Sequence, residues 1–293
     1  EERGVAARRE GLLLLPRRPR LTPELKRLAL IAAPAAMAGG VMQINLLVGR
    51  QVASYFDGAI AWLNYADRLY QLPLGVVGIA IGVVLLPDLS RKLQAGDAAG
   101  GQAAVNRAAE FSLALTLPSA VALVVIAMPL VSVLFERGAF DAEDARMTAL
   151  ALAIYAVGLP AFVLQKVLQP LFFARGDTKR PFYYALWNLL VNVGFAVGLS
   201  YWLGFIAAAI GTTVAGWIMV VLLWQGSRKM GSAARMDSRL RRALPRLIAA
   251  NAVMGGTLWG LARLLEPYLT QPGLRYIALA FLVVAGIVVY FSA

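Results

Sequence analysis

The stretch Leu63–Pro87, LNYADRLYQLPLGVVGIAIGVVLLP, is apolar over more than the ~20 residues a helix needs to cross hydrocarbon. It nevertheless carries Asp67 and Arg68 side by side in its first third. An ionisable side chain at membrane depth costs about 2.5–3.5 kcal/mol on insertion scales, so such residues usually face a cavity and serve a function. Neighbours on a helix point roughly 100° apart, so the two charges cannot share one narrow stripe. Asn64 lies one turn before Arg68 and Gln71 one turn after Asp67, which supplies polar company on both sides. Past the charges, Pro73 opens the backbone ladder, and Gly75, Gly78 and Gly82 form a small face for close helix contact. The plain alternative is a pair of charges that snorkel to the near interface.

The rest of the chain places this stretch in a class. Apolar residues make up 60% of the 293 and mean hydropathy is +0.68, above the globular norm. The composition predicts an all-α polytopic membrane protein. A net charge of +12 would suggest nucleic acid in a soluble domain, but here the basic residues sit between apolar segments, and no nucleic-acid partner is expected. With no Cys and no His, disulfides, thiolate or imidazole metal sites and His-assisted nucleophiles are all excluded. The chain opens at Glu1 with no signal-peptide pattern, which reads as a piece of a longer protein.

Residues 1–27 form a basic linker, and Thr22-Pro23-Glu24 carries a helix-start pattern, with Thr as N-cap and Pro at the first helical position. About eight spans follow: Leu28–Val48, Leu63–Pro87, Ala108–Leu134, Met147–Phe173, Phe182–Trp202, Phe205–Gln225, Arg246–Leu265 and Leu274–Ala293. Polar loops are expected at Asp88–Asn106, Ala174–Pro181 and Gly226–Pro245. On the sixth span Ala207, Gly211 and Ala215 make a small-xxx-small face. Loops between spans alternate sides. One side receives only Arg50, Arg137, Arg146, Arg263 and Arg275. Apart from Arg68 and Lys166, which lie within spans, every other one of the 28 basic residues falls on the opposite side, which is therefore cytoplasmic.

Lys166, about seven residues from the cytoplasmic end of its span, is short enough of the interface either to reach it or to line a cavity. Asn188 and Asn192, one turn apart, suit a cation or substrate oxygens, and equally suit interhelical hydrogen bonding worth about 0.6 kcal/mol each. Thr212 and Thr213 are weaker candidates, because hydroxyls in membrane helices commonly bond their own backbone.

Three motifs in order, NYADRLYQLPLGVVGIAIGVVLLPDLSRK, SVLFERGAFDAEDA and KVLQPLFFARGDTKRP, resemble the second half of the lipid II flippases of the MurJ (MviN) family. The resemblance runs from about Thr22 to the end. It implies the second six-helix lobe of a MATE-like transporter over residues 28–225, a cytoplasmic basic loop at 226–245 and two additional helices over 246–293. It further implies lipid II as substrate, surrounding membrane lipids and a missing N-terminal lobe as partners, and the bacterial inner membrane as location. No cofactor is implied, with the membrane potential or a Na+/H+ gradient as the driving force. Substrate-binding candidates on this resemblance are Arg68, Asp67, Lys166, Asn64 and Gln71, and Asn188, Asn192 and Thr212 form a candidate cation or polar cavity site. One departure stands out: relatives often carry Asp where this chain has Gly49 before Arg50.

The physical logic runs the same way. Lipid II joins a polar, anionic head to a long isoprenoid tail, so its carrier needs a wet, basic cavity and an opening to lipid. Arg suits a pyrophosphate because its planar fork donates two parallel hydrogen bonds. Helices broken by Pro and Gly allow lobes to rock in alternating access. The last two helices, apolar apart from Arg263, Glu266 and Arg275 at their outer ends, suit a groove for the tail. Three other readings stay open: a multidrug or polysaccharide-lipid exporter, a membrane enzyme acting on polyprenyl phosphates, and a non-transporting scaffold. The exporter is disfavoured by the basic Arg68 and Lys166, and the enzyme by the scattered acids of the Asp141–Asp144 loop.

Overall fold

A computed structural model describes residues 22–229, 231, 235–271 and 273–293, so most of the expected basic linker and part of the 226–245 loop lie outside the described residues. The elements are α1 (Pro23–Ala53), α2 (Ala59–Gln94), α3 (Ala98–Val125), α4 (Ala127–Phe135), α5 (Ala142–Phe173), α6 (Lys179–Leu203), α7 (Ile206–Arg228), α8 (Ser238–Leu264), α9 (Glu266–Leu269) and α10 (Leu274–Ser292). Every expected span falls on helix. Among the described residues, seven of these helices (α2, α3, α5, α6, α7, α8 and α10) are long and apolar enough to cross a membrane.

The termini follow local chemistry. Thr22 caps α1 by accepting the amide of Leu25 at 3.2 Å, with Pro23 in the first turn, as its sequence predicts. The second helix does not stop at Pro87. It continues to Gln94, a length of roughly 54 Å for 36 residues. It is closed there by the Gly96 amide on Leu93 and the Asp97 amide on Lys92, with Gly96 at φ 74. Asp97 then caps α3 through the Gly100 amide at 2.7 Å. The long loop expected at Asp88–Asn106 is thus a turn at Ala95–Asp97. Conversely, the third span, expected as one helix, breaks at Ile126, because Pro129 cannot donate to the Val125 carbonyl and its ring crowds that carbonyl. At the start of α5 the acids Asp141 and Asp144 form a reciprocal capping box.

The long helix α5 is the central post, packed by α2, α3, α4 and α7, while α6 lies outside against α7 and α1. Three side chains tie α5 to α7 through carbonyls: Thr213 to Ile154 at 2.9 Å, Trp217 to Val157 at 3.1 Å, and Gln165 to Gly216 at 3.0 Å. A methyl built on Gly211 would come within 2.9 Å of the Asn192 carbonyl oxygen, so only glycine allows α7 to lie this close to α6. One half of the bundle packs an alanine-rich core around Leu63, Ala66, Leu152 and Ala209, and the other half a bulkier one around Leu89, Val167, Phe172 and Leu223.

Helices α8 and α10 add a third cluster around Ile126, Met254, Leu258 and Leu282. Two fastenings hold them to the lobe. At the start of α8 Arg107 pairs with Glu110 and Asp237, Arg239 also reaches Glu110, and the Asp237 amide donates to Asn106. In mid-span, Pro118 deprives the Ala114 carbonyl of its helical donor, and the Tyr290 hydroxyl of α10 replaces it at 2.7 Å.

Candidate functional site

Asp67 sits between the two cores, on the stretch of α2 that leads from Leu63 towards Val77. Its carboxylate accepts from Gln71, one turn on, and lies beside the Tyr70 hydroxyl, with the charges of Arg68 and Arg50 close by. A cavity of about 100 Å³ opens here, lined by Asn45, Arg50, Asn64, Asp67, Tyr70, Tyr155 and Thr212 among others. Tyr70 also lines a second cavity of about 290 Å³, together with Gln71, Gly75, Gly78 and Lys166. The two form one polar strip from Arg50 near the C-terminal end of α1 to Lys166 in the last third of α5.

Lys166 is exposed and its stem lies over Gly78, whose missing side chain makes the room: a methyl there would approach Lys166 Cδ to 2.7 Å. The small face expected on α2 thus receives a lysine at Gly78.

Arg68 is placed differently from its neighbour. It is exposed and, among the described residues, makes no hydrogen bond or ion pair within the chain. It shares one face of α2 with Leu72, Val76, Ile79 and Val83, each more than 65% exposed, and with exposed Asn64 one turn before it. Arg68 is therefore the cation on an unpacked face that is apolar apart from Asn64.

The amides divide. Asn188 donates to the Ala215 carbonyl at 2.7 Å and serves as a tie between α6 and α7, away from the strip. Asn192 is buried and donates to Asn45 at 2.6 Å, which joins it to the cavity wall, while its own Oδ1 has no hydrogen-bond partner. Thr212 lines the cavity, with its hydroxyl bonded to the Ala208 carbonyl of its own helix at 2.9 Å. The structure thus gathers Asp67, Asn64, Gln71, Lys166 and Thr212 along the strip, joins Asn192 to it through Asn45, sets Arg68 on the adjoining face, and leaves Asn188 apart. Four lining residues escape the sequence reading: Asn45, Arg50, Tyr70 and Tyr155. Asn45 is a lone polar residue inside a span, and Tyr70 falls one turn after Asp67; both spacings are visible once Asp67 is taken as the anchor.

Helices of this length, bundled around α5 with a polar strip lined by Asp67, Tyr70 and Lys166, define a polytopic helical membrane protein. The solved structures that resemble it agree on the fold. One titled "Lipid II flippase MurJ, inward closed conformation" superposes with a TM-score of 0.75 at 24% identity, covering 95% of this chain and 56% of that one. A MATE transporter in complex with MaL6 superposes at 0.62 and 13% identity, covering 89% and 61%.

The family model described as "Lipid II flippase MurJ" matches residues 5–279, and the chain belongs to that family. The "Probable lipid II flippase MurJ" of Rhizobium meliloti (strain 1021) is 44% identical over 291 residues, which are 98% of this chain and 54% of that protein. The namesake from Rhizobium tropici is 43% identical with the same coverage. The chain spans about half the length of these relatives.

Proposed function

We propose that this chain forms the second lobe of a lipid II flippase in the bacterial inner membrane, moving the lipid-linked peptidoglycan precursor from the cytoplasmic to the outer leaflet by alternating access. The observation that carries this reading is the unpaired, exposed Arg68 beside a polar strip within an otherwise apolar lobe. A charge kept in hydrocarbon without an internal partner is expensive, and a pyrophosphate is the ligand its planar fork fits. Lys166 adds a second cation further along the strip, Asn64 and Gln71 supply neutral donors to the head group, and Asp67 holds Gln71 and balances Arg50. Thr212, Asn192 and Asn45 continue the strip as a polar wall, whereas Asn188 ties helices together. The opposite wall belongs to an N-terminal lobe, and the tail runs in lipid alongside α8 and α10. The lobe covers residues 28–225 and is followed by a basic cytoplasmic loop and the two added helices. On this reading the protein is a transporter and not an enzyme, works without a cofactor, and draws on the membrane potential or a Na+/H+ gradient.

Complementation of a flippase-depleted strain tests it. Arg68→Ala in the intact protein is expected to abolish growth, and Arg68→Lys, which keeps the charge and loses the fork, to impair it clearly. Both should accumulate in the membrane, since removing a charge from a span does not oppose insertion. Full growth with Arg68→Ala at normal protein level would overturn the assignment.

A further inference from the structure

Apart from the polar strip, a cavity of about 520 Å³ lies where α8 bends into α9 against α4. That volume is within the ~300–1,000 Å³ typical of small-ligand sites. Its lining is mostly apolar, with Val125, Met128, Val133 and Leu269, and also includes the hydroxyls of Ser132 and Thr270 and the side chains of Trp259, Arg263 and Glu266. By the distribution of basic residues this is the outer-leaflet side, at head-group depth.

The two charges of the rim stand on either side of the bend at Leu265. Among the described residues Arg263 enters no ion pair and Glu266 neither an ion pair nor a side-chain hydrogen bond, although only two residues lie between them. The Arg263 guanidinium lies instead over the Trp259 ring, 5.5 Å from its centroid. One anchored cation and one unpaired anion therefore face a pocket whose floor is hydrocarbon.

We propose that this cavity binds the head of an outer-leaflet phospholipid bearing a primary ammonium, with the phosphate on Arg263, the ammonium at Glu266 and an acyl chain along the apolar walls. The charge pattern selects this class over its neighbours. A primary ammonium donates hydrogen bonds to a carboxylate, whereas a quaternary one cannot and is held best by an aromatic face, which at Trp259 already carries Arg263. An anionic lipid without an ammonium leaves Glu266 unmatched and adds a like charge near it. The site is separate from the polar strip and independent of what the strip carries.

Delipidated intact protein in detergent tests the proposal by thermal unfolding with phosphatidylethanolamine, phosphatidylcholine or phosphatidylglycerol of identical acyl chains. The ethanolamine lipid should raise the midpoint by several degrees more than either other lipid. Glu266→Gln should bring its effect down to that of phosphatidylcholine, and Arg263→Ala should reduce the effect of all three. Native mass spectrometry of the same wild-type sample should retain phosphatidylethanolamine preferentially. Equal shifts and equal retention of the three lipids by the wild type would mean a non-selective lipid annulus and would overturn the site. So would an ethanolamine preference that survives Glu266→Gln.

Discussion

Lys166 shows how far a single residue can be understood from its surroundings. Its stem crosses α2 only because position 78 is glycine, which offers a way to move the charge without deleting it. Gly78→Ala should displace the Lys166 side chain and lower translocation several-fold, while Lys166→Ala should lower it further and Lys166→Arg retain part of it. A transport assay with membrane levels checked by immunoblot decides the matter, and normal activity in all three variants would remove Lys166 from the transport path. Asp67, Arg68 and Lys166 were legible in the sequence because a charge inside an apolar run stands out by its cost. Tyr70 and Tyr155 were not, since a tyrosine in a span is unremarkable until the fold sets its ring against another, as Tyr155 of α5 packs on Tyr70 beside Asp67. Arg50 was read as a loop residue, because α1 runs three residues past it to Ala53 on a pattern too short to recognise.

At the scale of helices, the decisive interactions join one backbone to a side chain of another. The bond from Tyr290 to Ala114 replaces a donor that Pro118 removed, and interhelical hydrogen bonds of this kind contribute about 0.6 kcal/mol on average and up to roughly 1.7. Tyr290→Phe should therefore cost about 1 kcal/mol in a detergent unfolding titration, and Pro118→Ala should make that substitution nearly neutral by restoring the helical donor. Gly211→Ala should be worse, about 1–3 kcal/mol, because the methyl meets backbone atoms of α6 that cannot swing aside. Helix identity was readable from hydropathy alone. Helix ends were less so: Pro87 looked like a stop, but a helix leaving the membrane tolerates a proline, and the cap at Gly96 lies nine residues further on. Pro129 looked harmless inside a span and ended a helix.

For the whole molecule, the expected alternation of spans puts the Lys- and Arg-rich helix ends in the cytoplasm. Gln94→Cys, exposed at the end of α2, should resist an impermeant thiol reagent in intact cells, and Asp57→Cys, in the turn between α1 and α2, should react; the chain holds no cysteine of its own to confuse the readout. Labelling of Gln94→Cys from outside would reverse the topology. The distribution of Lys and Arg carries this expectation in the sequence, whereas the order of packing, with α5 at the centre and α6 between α7 and α1, depends on which helices meet, and the lower hydropathy of α6 (1.4 against 2.1 for α5) does not by itself name its neighbours.

The position of α5 also bears on how the gene is free to drift. In its most apolar stretch 61% of residues are buried, against 11% for α6. The buried side chains of α5, such as Leu152, Leu159, Val163 and Leu171, pack among other helices, so changes there must be matched by partners on α2, α3 or α7, while α6 can exchange one apolar residue for another against lipid. A saturation library scored for growth should show α5 as the least permissive segment of the lobe and the lipid-facing side of α6 as among the most permissive. Natural variants that alter α5 should arrive in company, with second changes on the helices that touch it.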